Sequence, residues 1–243
     1  MYDISGSGCH EYTDGDSIEE APSFDGENRI YFSTAGYARD QSGAIAAVQN
    51  KSVVCLDTKR LAMDEILSDE RYDFLCPISD GKGGIYCIRQ KAGGEKQNEG
   101  GSIFMDIILI PYRIFRALFG MLNFFSKAFG GEALKSGGDS KAKQKSEKEM
   151  FIEGNLINAE KNLKDAEKNG EKHPGFMSAE RVLIHMNPDG NYDIIRKGVL
   201  DYALLSDGNI AVSNGRFIII SDENGEEISA FNADSALYLK EVI

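Results

Sequence analysis

The chain of 243 residues has no tryptophan, three histidines, four cysteines and five prolines, and these scarcities close off whole classes of function. Cys9, Cys55, Cys76 and Cys87 form no C-x-x-C pair, so neither a zinc knuckle nor a dithiol redox motif is encoded. Their density is far below that of a disulfide scaffold, which makes free thiols in a reduced, cytoplasmic compartment the expectation. Cys76 and Cys87 flank the turn at 79–83 symmetrically, but free Cys is common as a small buried apolar residue. Met1 to Ser5 carries neither the basic nor the apolar part of a secretory signal. Chemistry-bearing motifs are missing too: there is no G-x-S-x-G elbow, H-E-x-x-H helix, Walker loop or G-x-G-x-x-G turn. His10 follows Cys9 in a terminal strand, His173 precedes Pro174 at a helix exit, and His185 sits in the apolar run Val182–Met186; all three read as structural. Asp189, Asn191 and Asp193 alternate as calcium ligands do, but no later Glu follows and a Pro-Asp-Gly turn precedes them, so they read as a hairpin loop. No catalytic, cofactor-binding or metal-binding residue is assigned.

Positive charge is also short, with 39 acidic against 27 basic side chains and a net charge of −12. Nucleic acid is therefore not the expected partner, because phosphate contacts need a basic stripe. The imbalance is local. Residues 94–179 carry 13 basic and 12 acidic side chains, which leaves 14 basic and 27 acidic in the rest of the chain. The apolar fraction of 42% is enough for a buried core, which excludes collagen-like and wholly disordered readings.

What is present is a repeat. Pro22-Ser23-Phe24-Asp25-Gly26 leads to Arg29–Ser33, Pro77-Ile78-Ser79-Asp80-Gly81 to Gly84–Ile88, and Leu204-Leu205-Ser206-Asp207-Gly208 to Asn209–Ser213. Asp-Gly supplies the positive φ of a tight turn, and the β-branched and aromatic run after it suits a half-buried strand. Further strands are expected at 44–48, 53–57, 181–185, 193–196, 216–221, 227–231 and 236–242. The Asp-Gly pairs lie 55 and 127 residues apart, and removing 94–178 brings the second interval near 42, the length of a four-stranded propeller blade. The expectation is a mainly β chain, a blade-built β-propeller, partial or truncated, with a helical insertion: blades over 1–93 and 179–243, the insertion over 94–178.

The run Glu11-Tyr12-Thr13-Asp14-Gly15-Asp16, then Ala21–Gly26 and Arg29–Ser33, resembles the TolB-like β-propeller repeat, the WD40-like PD40 motif. The match covers 11–34, with degenerate copies at 77–88 and 204–213. The resemblance implies a propeller that serves as a binding platform or as the accessory or gating domain of a hydrolase or peptidase whose catalytic part is not in this chain. About 158 residues remain outside the insertion, three to four blades, where closure takes four to eight.

Inside the insertion, Pro111 suits the first turn of a helix running to Phe129. Arg113, Arg116, Gly120, Asn123 and Lys127 recur at helical spacing as one narrow polar stripe, and the remainder is apolar. Asp106, Arg113 and Arg116 count against a membrane-spanning reading of 103–129. What remains is a helix packed on protein or lying in a membrane interface, with Tyr112, Arg113, Phe115, Arg116, Phe119, Leu122, Phe125 and Lys127 as contact residues. A second helix is expected from a capping box at Ser146–Glu149 through Ile152, Leu156, Ala159, Leu163 and Ala166, stopping at Gly170 and Pro174. Gly130–Lys145 reads as a flexible linker between the two. The functional expectation is a non-catalytic binding or scaffold module with a protein or peptide partner, whose amphipathic insertion at 103–129 docks on a membrane surface or on protein, and which needs no cofactor.

Overall fold

The structure is a computed structural model that describes residues 2–4, 9–11, 13, 15–92, 149–152, 155–233, 236, 239 and 240. It divides into two compact units, one of residues 1–94 with 158–243 and one of residues 95–157. In the first unit a short hairpin pairs β1 (Tyr2–Ile4) with β2 (Cys9–Glu11). Three antiparallel sheets follow. Sheet 1 holds β3 (Ser17–Phe24), β4 (Arg29–Arg39), β5 (Ile45–Val48), β6 (Ser52–Asp57) and β7 (Ala62–Leu67) in the order β3-β4-β6-β7, with β5 paired to the far end of β4. Sheet 2 holds β8 (Tyr72–Ser79), β9 (Ile85–Lys91), β12 (Val182–Met186) and β13 (Tyr192–Lys197). Sheet 3 holds β14 (Asp201–Leu204), β15 (Ile210–Ser213), β16 (Phe217–Ser221) and β17 (Glu227–Asn232). The second unit holds a pair of strands, β10 (Glu149–Ile152) and, all but its last residue, β11 (Asn155–Asn158).

The mainly β expectation is met, and its turns form as the sequence implies. Gly26, Gly81 and Gly208 have φ of 86°, 70° and 86°. The Asp before each glycine closes the turn with its carboxylate: Asp80 Oδ1, for example, accepts from the N–H groups of Lys82 at 2.7 Å and Gly84 at 2.9 Å. The same Asx geometry recurs at Asp40 and Asp222.

Two of the three repeats share a second device. Pro22 and Pro77 have no N–H to give the ladder, and the register slips between Glu20 and Ser23 in β3 and between Leu75 and Ile78 in β8. The residue before each proline, Ala21 or Cys76, takes the left-handed region at φ 50° or 51°. The third copy has Leu204 at the matching place, and β14 pairs with β15 without a slip. The β8 bulge releases two carbonyls that neighbouring sheets use. Ser23 Oγ donates to the Pro77 carbonyl at 2.6 Å, and the Tyr202 hydroxyl lies 2.6 Å from the Cys76 carbonyl and 2.8 Å from that of Tyr86.

The inner strands of sheet 2, β9 and β12, are buried on both faces, which is why 85–88 and 182–184 read as continuous apolar runs rather than alternating ones. Leu75, Tyr86, Ile88 and Leu183 pack against Val199, Tyr202, Ile210 and Val212 of sheet 3 and its entry. Phe74, Cys87, Val182 and Ile184 face the other way, onto Val53 of sheet 1. Cys87 and Ile88 are adjacent in sequence and both 0% exposed. Strands β9 and β12 are direct antiparallel neighbours, with Ile184 opposite Cys87 and Val182 opposite Arg89. Cys55, Cys76 and Cys87 are free thiols.

The second expected helix is corrected. Residues 149–152 and 155–158 are strands, and α1 spans only Ala159–Lys168. Its cap is Asn158, whose Oδ1 accepts the Lys161 N–H at 2.9 Å. Met150, Phe151, Ile152 and Ile157 favour strand locally, and Gly154 breaks the run between them. Asn169 and Gly170 end the helix near the expected stop. With residues 169–178, α1 belongs to the first unit, where Asn162 Nδ2 donates to the Phe176 carbonyl at 3.0 Å. Strand β7 was not foreseen, because Asp64 and Glu65 interrupt its alternation. Ser146 and the helix expected at 111–129 lie outside the described residues, as does most of the strand expected at 236–242.

Candidate functional site

Tyr112, Arg113, Phe115, Arg116, Phe119, Leu122, Phe125 and Lys127 all lie outside the described residues. Among the described residues a cleft opens at each side of sheet 2. The first, about 420 Å³, is lined by the segment around Lys172 and His173, by Ile194–Lys197 of β13, and by Asn214 and Ile219 of sheet 3. Glu227, the first residue of β17, meets three cationic or potentially cationic side chains here: Lys172 Nζ at 2.9 Å, His173 Nε2 at 3.0 Å and Arg196 at 3.6 Å. Asn214 organises the corner. Its Nδ2 donates to the His173 carbonyl at 2.8 Å, and its Oδ1 accepts the N–H groups of Arg216 and Phe217. The His173 ring rests against Phe217, 5.1 Å between centroids.

The hydrogen bonds from Lys172 and then His173 bring the Glu227 carboxyl down to about 2. Through these contacts Glu227 forms an electrostatic clasp between sheet 3 and the 171–177 segment. Its pH signature follows from linkage. The folded carboxyl titrates below its ordinary 4.5, so the unfolded chain binds more protons between those values, and stability falls as pH drops from about 4.5 toward 2. Glu227→Gln is expected to flatten the pH dependence of the thermal midpoint in that window, against an otherwise unchanged acid limb. An unchanged slope would show that the clasp contributes nothing.

The second cleft, about 480 Å³, lies between sheets 1 and 2, with Arg29, Tyr31, Cys55, Asp57 and Asp64 on one wall and Ile85, Met186 and Pro188 on the other. Burial pushes both the Cys55 thiol and the Tyr31 hydroxyl up. Cys55 therefore stays a thiol, not the thiolate a nucleophile needs.

His185, on β12, is placed 2.9 Å from Asp80 Oδ2, and its ring stacks on Tyr86 at 4.2 Å. Burial raises the Asp80 carboxyl, but the Lys82 N–H, His185 and the Gly84 N–H together hold it below its usual value. Gly84 permits the pair: a Cβ there would stand 2.4 Å from Asp80 Oδ2 and 2.6 Å from His185 Nε2. The dyad fastens the Asp-Gly turn of β8–β9 to β12. Asp189 closes its own turn onto Asn191, and Asp193 accepts from Asn187. Among the described residues no group of three or more His, Cys, Asp or Glu is arranged to hold a metal ion.

Sequence reasoning missed the Glu227 clasp because its members sit on three segments up to 55 residues apart, and only the packing of sheet 3 against sheet 2 and the 171–177 segment assembles them. Compared with protein-family models, with curated proteins and with solved structures, the chain matches none.

Proposed function

We propose that the protein is a non-catalytic binding module: a TolB-like β-propeller body that presents an amphipathic helical insertion to a membrane surface, with the body free to engage a protein or peptide partner. The propeller reading is supported by three successive antiparallel sheets, two of four strands and one of four with β5 added to β4, whose first strands, β3, β8 and β14, are tied in series through the β8 bulge. Sheets 1 and 3 are also buried on the faces turned away from sheet 2, at Phe32 and Leu56 and at Ala211 and Ser213, as blades with neighbours on both sides are. On that far face of sheet 3, Asp201 Oδ2 accepts the Leu239 N–H at 2.7 Å.

The observation that carries the membrane half of the proposal is the pairing of β9 with β12. The intervening chain leaves and re-enters the same sheet on adjacent strands, so a single membrane crossing within it would separate two hydrogen-bonded neighbours by a bilayer. Among the described residues no helix is long and apolar enough to cross a membrane. A helix lying in the interface satisfies both the apolar run at 103–129 and this topology. Co-sedimentation with anionic vesicles tests it. The wild-type chain is expected to pellet with them, Phe119→Glu with Leu122→Glu to abolish pelleting, and charge reversal at Arg113 and Arg116 to weaken it in a salt-sensitive way. A wild-type chain that ignores vesicles, with the Glu pair unfolding it, would place the helix in a protein core instead.

A further inference from the structure

We propose that the free edge of β5 is a self-association surface at which two copies of this chain pair as antiparallel strands. Strand β4 is 11 residues long, about 37 Å at strand rise. Its first half is flanked by β3 and β6, whereas Tyr37–Arg39 pair with β5 beyond the last partners of β6 and β7. The result is a two-stranded arm that projects from sheet 1. All four residues of β5 are exposed, Ile45 by 54% and Val48 by 56%, and β5 pairs with β4 alone among the described residues.

Charge separates this edge from the others. The strands that end the three sheets each carry at least one ionisable side chain: Glu19 and Glu20 on β3, Asp64 and Glu65 on β7, Asp73 on β8, Asp193 on β13, Asp201 on β14 and Glu227 on β17. Such charges guard an edge against unwanted pairing. From Ser42 to Asn50 there is none. Two chains of net charge −12 repel over most of their surfaces, and this uncharged strand is where their backbones can meet without opposing carboxylates.

The arm is built in advance for that contact. Asp40 Oδ1 accepts from the Ser42 N–H at 2.8 Å, the Ser42 hydroxyl at 2.6 Å and the Ala44 N–H at 3.0 Å, which closes the tip. Arg39 bridges Asp16 at 2.9 Å and the Gly43 carbonyl at 2.8 Å, so the charges of the arm are satisfied on its β4 side. The register slips at Ala46, the extra residue between the Ala38–Ala47 and Arg39–Ile45 pairs, so the regular stretch that a second copy can meet begins at Ala47 and carries no charge through Asn50.

Sedimentation velocity of the full chain over a wide concentration range tests the proposal, with Ala47→Lys as the disrupting variant and Met63→Lys on β7 as the control. Both positions are exposed, so neither variant loses core contacts. A reversible monomer–dimer equilibrium is expected in the wild type, weakened about tenfold or more by Ala47→Lys and unchanged by Met63→Lys. Amide exchange at 45–48 is expected to slow as concentration rises. A chain that stays monomeric throughout, or a dimer that Ala47→Lys leaves intact, or one that both variants weaken alike, overturns it.

Discussion

Tyr202→Phe is expected to destabilise the β unit by about 1–3 kcal/mol although it removes a single oxygen. The hydroxyl lies within hydrogen-bond reach of two carbonyls, those of Cys76 and Tyr86, and Tyr202 is 3% exposed. Without it, both carbonyls lose this donor where sheets 2 and 3 pack together. Tyr202→Ala adds the cavity of a ring that packs between Leu75, Ile88 and Val212, for a total of about 3–5 kcal/mol. Denaturant melts of the two variants separate the terms. A Tyr202→Phe midpoint equal to wild type would mean that the bulge carbonyls find other donors, and the tie between sheets 2 and 3 would then be apolar only.

Gly225→Ala is expected to destabilise by roughly 2–5 kcal/mol, from a left-handed backbone and a steric clash acting together. Gly225 has φ +85°, and a Cβ there would stand 2.5 Å from the Ile195 carbonyl oxygen of β13, an atom of backbone that cannot rotate aside. The β16–β17 turn is thus seated directly on the outer strand of sheet 2. Gly208→Ala is the matched control, since it shares a φ of +86° but has open space around it, and a loss of only about 1–2 kcal/mol is expected there. Equal losses at the two positions would remove the argument that the turn abuts β13.

The parts of this fold that were legible in the sequence are those decided within a few residues. Asp25-Gly26, Asp80-Gly81 and Asp207-Gly208 announce their turns because the carboxylate and the positive φ are both local demands. The pairing of 84–88 with 181–185 across the insertion was also within reach, because both are short, largely apolar runs and the repeat spacing asks for it. The failures have a common cause as well. Ile152, Leu156, Ala159, Leu163 and Ala166 fit a helical period, yet the first two lie in strands, since β propensity around Phe151 and Ile157 and a better cap at Asn158 outweigh the spacing. Proline in two repeats was visible, but the slip it forces, and the carbonyls that slip offers to Ser23 and Tyr202, exist only once neighbouring sheets are in place. The Glu227 clasp and the exposed β5 edge are likewise properties of packing and of its absence.

The central claim is that residues 1–94 and 158–243 form one self-sufficient β body into which the remainder is inserted. The most direct test is a far-UV circular dichroism melt of the chain with residues 95–157 replaced by a flexible Gly-Ser loop. The account predicts a β spectrum that is lost in a single cooperative transition, because β9 and β12 still meet and both apolar layers of sheet 2 survive. A predominantly helical spectrum, or a gradual melt without a transition, would contradict it.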